Sequence, residues 1–398
     1  MDRNVELPSI ELVARCIGDP VIRLRFLKAV APAPPKDSES PTHKGFFHYL
    51  LLAIVPLTLI AALLVVRAAA RIGPLETRNP PAVSSQSLPP PAVPEVWMVE
   101  KNASEEVFSN GLHIDTRFAV SNHARSYLAF PANSPSGGRP VRRSTPAGIV
   151  FHTTESLQIP FEARQNGALK RIGESLLEYV GRKCAYNYVI DRFGRVFRVV
   201  AEQEAANHAG YSVWADDQWL YLNLNESFLG VSFEASTGGG KVEATLNPAQ
   251  ISSAAMLTEL LRGRYQIPAA NCVTHMQVSV NPDNMLVGYH TDWASGFPFE
   301  QVGLPDNYSL PPSSLATFGF LCGQGTRQAA DPRLAVAIQR AEAVVTQPAG
   351  DAGMGVPAYR RTLQRRYLTL LADVKTAQGE ASRASVDTGQ SERPSEGR

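Results

Sequence analysis

Cysteine is scarce in this chain: 398 residues hold four, Cys16, Cys184, Cys272 and Cys322. None stands at a metal-knuckle spacing and they are too few for a disulfide scaffold, so neither a cysteine-held metal nor a cross-linked mini-fold is in view. They read as buried thiols or, if Cys184, Cys272 and Cys322 lie outside the cytosol, as one pair among those three with one thiol left over. An excess of one charge is also lacking. The formal net charge is +1, which removes the broad basic surface that nucleic-acid-binding proteins use, and nucleic acid is not an expected partner. With 44% hydrophobic and 19% charged residues, the length suits one large or two small globular domains.

A third absence is local. Phe46 to Val66 (FFHYLLLAIVPLTLIAALLVV) contains no Asp, Glu, Lys or Arg, and at ~1.5 Å per residue it is long enough for a transmembrane helix, with Pro56 as a kink point. A cleaved signal peptide fits less well, because the apolar run exceeds the usual ~7 to 15 residues and some 45 residues precede it. Lys28, Lys36 and Lys44 on one side balance Arg67, Arg71 and Arg78 on the other, so orientation has to come from function. The expected organisation is a cytosolic tail over 1–45, the membrane helix over 46–66, a Pro-rich linker over 67–95, a strand extension over 96–145, an α/β domain over 146–305, a helical extension over 306–376 and a disordered tail over 377–398.

Within the globular part, Val107 to Asp115 predicts a hairpin around Asn110-Gly111. A strand follows at 147–152, then a helix over 165–182 with Leu169, Ile172, Leu176 and Val180 on one face. Tyr186 to Val200 predicts a second hairpin turning at Asp191 to Gly194, and Phe228 to Ala235 a further strand. Asn247-Pro-Ala-Gln250 combines an N-cap, a proline at the first helical position and a capping-box Gln, so a helix starts there. The strand Asn271 to Thr274 delivers His275. Two more helices are expected over 332–346 and 357–376. This order gives a mixed central β-sheet flanked by helices, an α/β class, with candidate ligands at strand ends.

Those candidates are His152 in GIVFHTTE, His275 in CVTH and Asp292 in YHTDWASGFP. Two imidazoles and a carboxylate give Zn²⁺ three protein ligands and leave a fourth position open, which is the arrangement of a hydrolytic site. Taken together with the hairpin CAYNYVIDRFGRVFRVV, the stretch AEQEAANHAGYS, the strand FLGVSFEAS, the helix NPAQISSAAML and the closing DWASGFPF, the chain resembles, over about residues 146 to 300, the zinc amidase family of bacterial N-acetylmuramoyl-L-alanine amidases, amidase-type phage lysozymes and animal peptidoglycan recognition proteins. The resemblance implies Zn²⁺ on His152, His275 and Asp292, hydrolysis of the amide between N-acetylmuramic acid and L-alanine, peptidoglycan or muropeptides as partners, and a catalytic domain on the periplasmic face of the cell membrane.

Three departures matter. The segment Asn281 to Gly288 looks inserted, which makes Asp283 a rival third ligand. Ser232 stands where bacterial amidases carry a strand Glu, so the resemblance moves the role of orienting or activating water to Tyr186, with Glu234 as a second candidate two residues along the strand. His290 stands two before Asp292, where relatives carry Lys or Thr, and could stabilise an oxyanion as an imidazolium or an N–H donor. By the same resemblance His208, Asn187 and Trp214 are expected at the substrate, with Tyr211 and Trp219 as further aromatic faces. The alternative is a membrane-anchored peptidoglycan receptor on the same fold without catalysis.

Overall fold

The computed structural model describes residues 93–132, 138–238 and 244–390, all inside one compact unit, Pro90–Arg398. Its centre is an eight-stranded mixed sheet. The strands are β1 (Met98–Lys101), β2 (Glu105–Phe108), β3 (His113–Asp115), β4 (Gly148–Thr153), β5 (Tyr188–Ile190), β6 (Val196–Arg198), β7 (Phe228–Phe233) and β8 (Cys272–Thr274). Their spatial order is β1-β2-β3-β6-β5-β7-β4-β8. From β5 to β8 the neighbours are parallel. Every residue of β4 and β7 is buried, as continuous apolar runs such as Ile149-Val-Phe151 require when helices or loops cover both faces. Ser232 pairs with His152 in this register.

The helices fit their sequence signals. α1 (Asn166–Arg182) buries Leu169, Gly173, Leu177 and Val180; Leu177 takes the place expected of Leu176 because the buried stripe advances mostly in steps of four. α2 (Pro248–Tyr265) starts on the expected capping box of Asn247 and Gln250. The hairpin β5–β6 turns at Gly194, with φ +77, against the start of α2, where a Cβ would lie 2.7 Å from the Ala249 carbonyl oxygen, so only glycine fits. α3 (Pro332–Val344) is capped by Asp331. α4 (Val356–Gln390) runs past Gln378, where disorder was expected. Few apolar residues limit packing, but without proline they do not stop a helix that is already nucleated and packed through Tyr367, Leu370, Leu371 and Val374.

Two smaller sheets were not foreseen. The extension adds β1–β3 to the main sheet, and it also pairs Tyr127–Pro131 and Val141–Arg143 with Val213–Ala215 and Trp219–Leu222. The segment read as an inserted loop is a built hairpin, Val280–Asn281 against Leu286–Val287, whose second strand pairs with Leu321–Cys322. Cys184, Cys272 and Cys322 are free thiols, Cys272 and Cys322 buried. The expected tail, membrane helix at 46–66 and most of the Pro-rich linker lie outside the described residues. Among the described residues no helix is long and apolar enough to cross a membrane.

Candidate metal centre

Three elements bring the ligand candidates to one point at the C-terminal ends of parallel strands, the side of an open α/β sheet where sites form. His152 is the penultimate residue of β4. His275 opens the single helical turn His275–Val278, held to β8 by a capping box between Thr274 and Gln277. Asp292 comes from the loop that follows. The ligand atoms of His152, His275 and Asp292 all lie within 4.8 Å of one another and all three residues are buried. His275 Nδ1 is 2.8 Å from Asp292 Oδ1 and His152 Nδ1 is 3.3 Å from Asp292 Oδ2. His275 Nε2 is buried without a hydrogen-bond partner.

This donor set fits Zn²⁺. Nitrogen and carboxylate oxygen at ~2.0 to 2.1 Å are its ordinary ligands, and two such arms at a tetrahedral angle separate their ends by about 3.3 to 3.4 Å, close to the 3.3 Å between His152 Nδ1 and Asp292 Oδ2. Asp283 is no rival. It sits exposed at the turn of the built hairpin, where its backbone N–H binds Asn281 Oδ1 at 2.9 Å, outside the ligand cluster.

The electrostatics keep lone pairs available. Burial pushes His152 down to about 4, helped by His275 beside it, so its imidazole is neutral at neutral pH. His208 lies well below its ordinary value for the same reason. Burial would raise Asp292, but His275 beside it, 2.8 Å from Oδ1, holds it well below the usual carboxylate range. Glu155, three residues after His152, accepts from Thr153, Ser236 and Thr237 and pins the loop leaving β4.

The other expected site residues separate. Tyr186 is at the cluster: its ring centroid is 5.1 Å from that of His152. Burial, reinforced by the Asp292 charge, raises its hydroxyl well above the ordinary tyrosine range, so it remains a proton donor. His290 stacks on His275 at 4.7 Å. Its surface is exposed at the rim; partial desolvation and His275 beside it push it down to about 4, which favours the neutral N–H donor over the imidazolium. His208 touches His152 directly, Nδ1 to Nε2, at 3.1 Å.

Three expectations are corrected. Glu234 follows the last residue of β7, so strand alternation no longer aims it with Ser232; its carboxylate accepts from the Arg192 backbone N–H at 3.1 Å and faces Gly173 of α1. Asn187 is fully buried and its amide is consumed by the backbone, accepting from Gly230 N–H at 3.0 Å and donating to the Val200 and Ala201 carbonyls at 3.2 Å, so it splices β5, β6 and β7 and meets no substrate. Trp214 is buried, with its indole N–H on Asn271 Oδ1 at 3.0 Å. It lines a cavity of about 960 Å³ beside Ala147 and Asn271, residues that precede β4 and β8, and therefore sits at the opposite end of the strands from His152. Trp219 lines the same cavity, and Tyr211 packs on Lys375 of α4. Arg125 went unnoticed in the sequence: it is 2% exposed, and its guanidinium donates to the carbonyls of Glu202, Glu204, Glu226 and Phe228. Its loop carries no periodic or motif signal.

A family model described as N-acetylmuramoyl-L-alanine amidase matches residues 142–293. The N-acetylmuramoyl-L-alanine amidase AmiD of Escherichia coli is 27% identical over 141 residues, which is 34% of this chain and 47% of that protein; the chain thus spans about half the length of this relative. Among solved structures, the complex of AmiD from E. coli with the substrate anhydro-N-acetylmuramic acid-L-Ala-D-gamma-Glu-L-Lys matches at 19% identity and a TM-score of 0.31, covering 69% of this chain and 97% of that one. The N-acetylmuramoyl-L-alanine amidase LysC from Clostridium intestinale URNW matches at 19% identity and a TM-score of 0.27, covering 48% and 93%.

Proposed function

Residues 142–293 form a domain of the N-acetylmuramoyl-L-alanine amidase family, and from that premise we propose that the chain is a zinc-dependent hydrolase of the amide between N-acetylmuramic acid and L-alanine in peptidoglycan or its muropeptides. The observation that carries the reading is the convergence of His152, His275 and Asp292 inside the matched segment. Zn²⁺ held there supplies Lewis acidity toward the scissile carbonyl and a nucleophile from water at neutral pH.

The chain's own residues supply the rest. Tyr186, held protonated beside His152 and Asp292, donates a hydrogen bond that orients water or steadies the oxygen on which negative charge develops. His290, neutral and stacked on His275, is a second N–H donor at the rim. Ser232 shares the register of His152, and its hydroxyl is buried without a hydrogen-bond partner, so the position that carries a strand Glu in bacterial amidases here offers no carboxylate to the site.

That same Ser232 favours the second reading, a peptidoglycan receptor that binds without cleaving. Incubating the full chain with peptidoglycan, with and without a zinc chelator, and identifying fragments by mass separates them. Released stem peptides with a free L-alanine amine that vanish on chelation support the amidase; binding without release at full zinc occupancy refutes it.

For location we propose a single membrane pass through Phe46–Val66 with the amidase domain on the envelope side. The uncharged stretch and the Pro-rich segment after it support this reading. A reporter fused after Arg398 that is active only in the cytosol would overturn it.

A further inference from the structure

We propose that His208 is a positioning residue for the metal centre: with the Phe228 carbonyl it fixes the tautomer of His152, so that Nδ1 of His152 keeps its lone pair toward the ligand cluster. This rests on the reading of the cluster as a Zn²⁺ site. The chain of contacts is directional. His208 Nε2 lies 3.3 Å from the Phe228 carbonyl oxygen, and a carbonyl only accepts, so this nitrogen carries the proton. The other nitrogen of the neutral ring, Nδ1, is then an acceptor. Its 3.1 Å contact with His152 Nε2 needs a proton from His152, which places that ring's N–H on Nε2 and leaves Nδ1 bare, 3.3 Å from Asp292 Oδ2. Two bare acceptors at that separation repel unless a cation lies between them. Metal-bound histidines are commonly fixed in this way through their second nitrogen.

The ring is held from both sides. The Phe228 oxygen also accepts from buried Arg125 Nη1 at 3.0 Å, and Arg125 is itself tied to the carbonyls of Glu202, Glu204 and Glu226, so the end of the relay cannot drift. On the strand face, a Cβ at position 230 would lie 2.6 Å from His208 Cγ. Gly230 is therefore the space in which the imidazole sits. With both ring nitrogens occupied, His208 has no hydrogen-bonding atom left for a substrate.

The test is zinc affinity of the full chain, measured by chelator competition, together with KM and kcat on one muropeptide at saturating zinc. His208→Ala should weaken zinc binding by about 10 to 100-fold and leave KM unchanged. His208→Gln should recover most of that loss, because its amide can donate to Phe228 and accept from His152. Gly230→Ala, which displaces the ring without altering it, should reproduce the affinity loss of His208→Ala. His208→Ala that binds zinc as tightly as the wild type while KM rises would overturn the relay and make His208 a substrate contact. Glutamine no better than alanine overturns the hydrogen-bond account. A wild-type chain that takes up no zinc overturns the site reading itself, and the relay with it.

Discussion

Replacing Glu234 with Gln separates two claims that its chemistry confounds. The side chain is 2% exposed, one oxygen has no partner, and the other accepts the Arg192 backbone N–H at 3.1 Å. Burial pushes its carboxyl from 4.5 up to about 6, with the Arg192 bond holding it back. That value suits a general base, but geometry comes before pKa, and the carboxylate faces α1 instead of the ligand cluster. The shift from 4.5 to about 6, at about 1.36 kcal/mol per pKa unit, makes the ionised form cost about 2 kcal/mol. The folded state binds this proton more tightly than the unfolded one, so stability is greatest below about pH 4.5, falls as pH rises to about 6, and stays lowered above. Glutamine cannot ionise and keeps the acceptor for Arg192. Glu234→Gln should therefore be more stable than the wild type by about 1 to 2 kcal/mol near pH 7.5 and equal to it near pH 4, read from urea unfolding. Turnover should stay within a few-fold of wild type. A variant less stable near pH 7.5, or one that keeps its zinc and loses about 10²-fold in rate, refutes the reasoning.

Tyr186→Phe keeps the ring against His152 and removes only the donor; a rate loss of about 10²-fold or more with unchanged zinc content is expected from single-turnover assays and metal analysis. Asp292→Ala should lose zinc on purification while Asp283→Ala retains one equivalent, because only the former lies in the cluster. Asn247→Ala removes the side chain that caps α2 and also donates to the Arg192 carbonyl at 2.6 Å, so unfolding free energy should drop by about 1 to 2 kcal/mol with activity little changed.

What was legible in the sequence was what local pattern encodes. The capping box at Asn247, the Asn110-Gly111 hairpin, the buried strands and the three residues that converge as candidate ligands each sit in a stretch whose own residues announce them. What stayed hidden depends on partners far along the chain. Glu234 looked like a base because strand alternation aligns it with Ser232, yet β7 ends at Phe233 and the parity rule ends with it. Asn187 was expected at the substrate by the family resemblance, but Tyr186 before it adopts a left-handed conformation, φ +60, and Asn187 is buried among backbone groups instead. Trp214 belongs to a second sheet whose partner strand, Tyr127–Pro131, is reached through Trp219–Leu222. No window of sequence holds both.

The ligand cluster makes a physical demand that single residues do not. Asp292 is ionised and buried, while His152 and His208 near it are held neutral. A buried carboxylate must be paired or lose several kcal/mol to desolvation, and the metal ion proposed for this cluster would answer it. Neutral imidazoles are what such an ion needs as ligands, since a protonated nitrogen has no lone pair to give. Burial therefore does two jobs at once: it strips the protons from the nitrogens, and it makes the carboxylate seek a divalent partner. A surface triad of the same residues, screened and hydrated, would do neither. The apolar strand β4 thus serves the chemistry proposed for the cluster, because it holds His152 deep enough for the effect to operate.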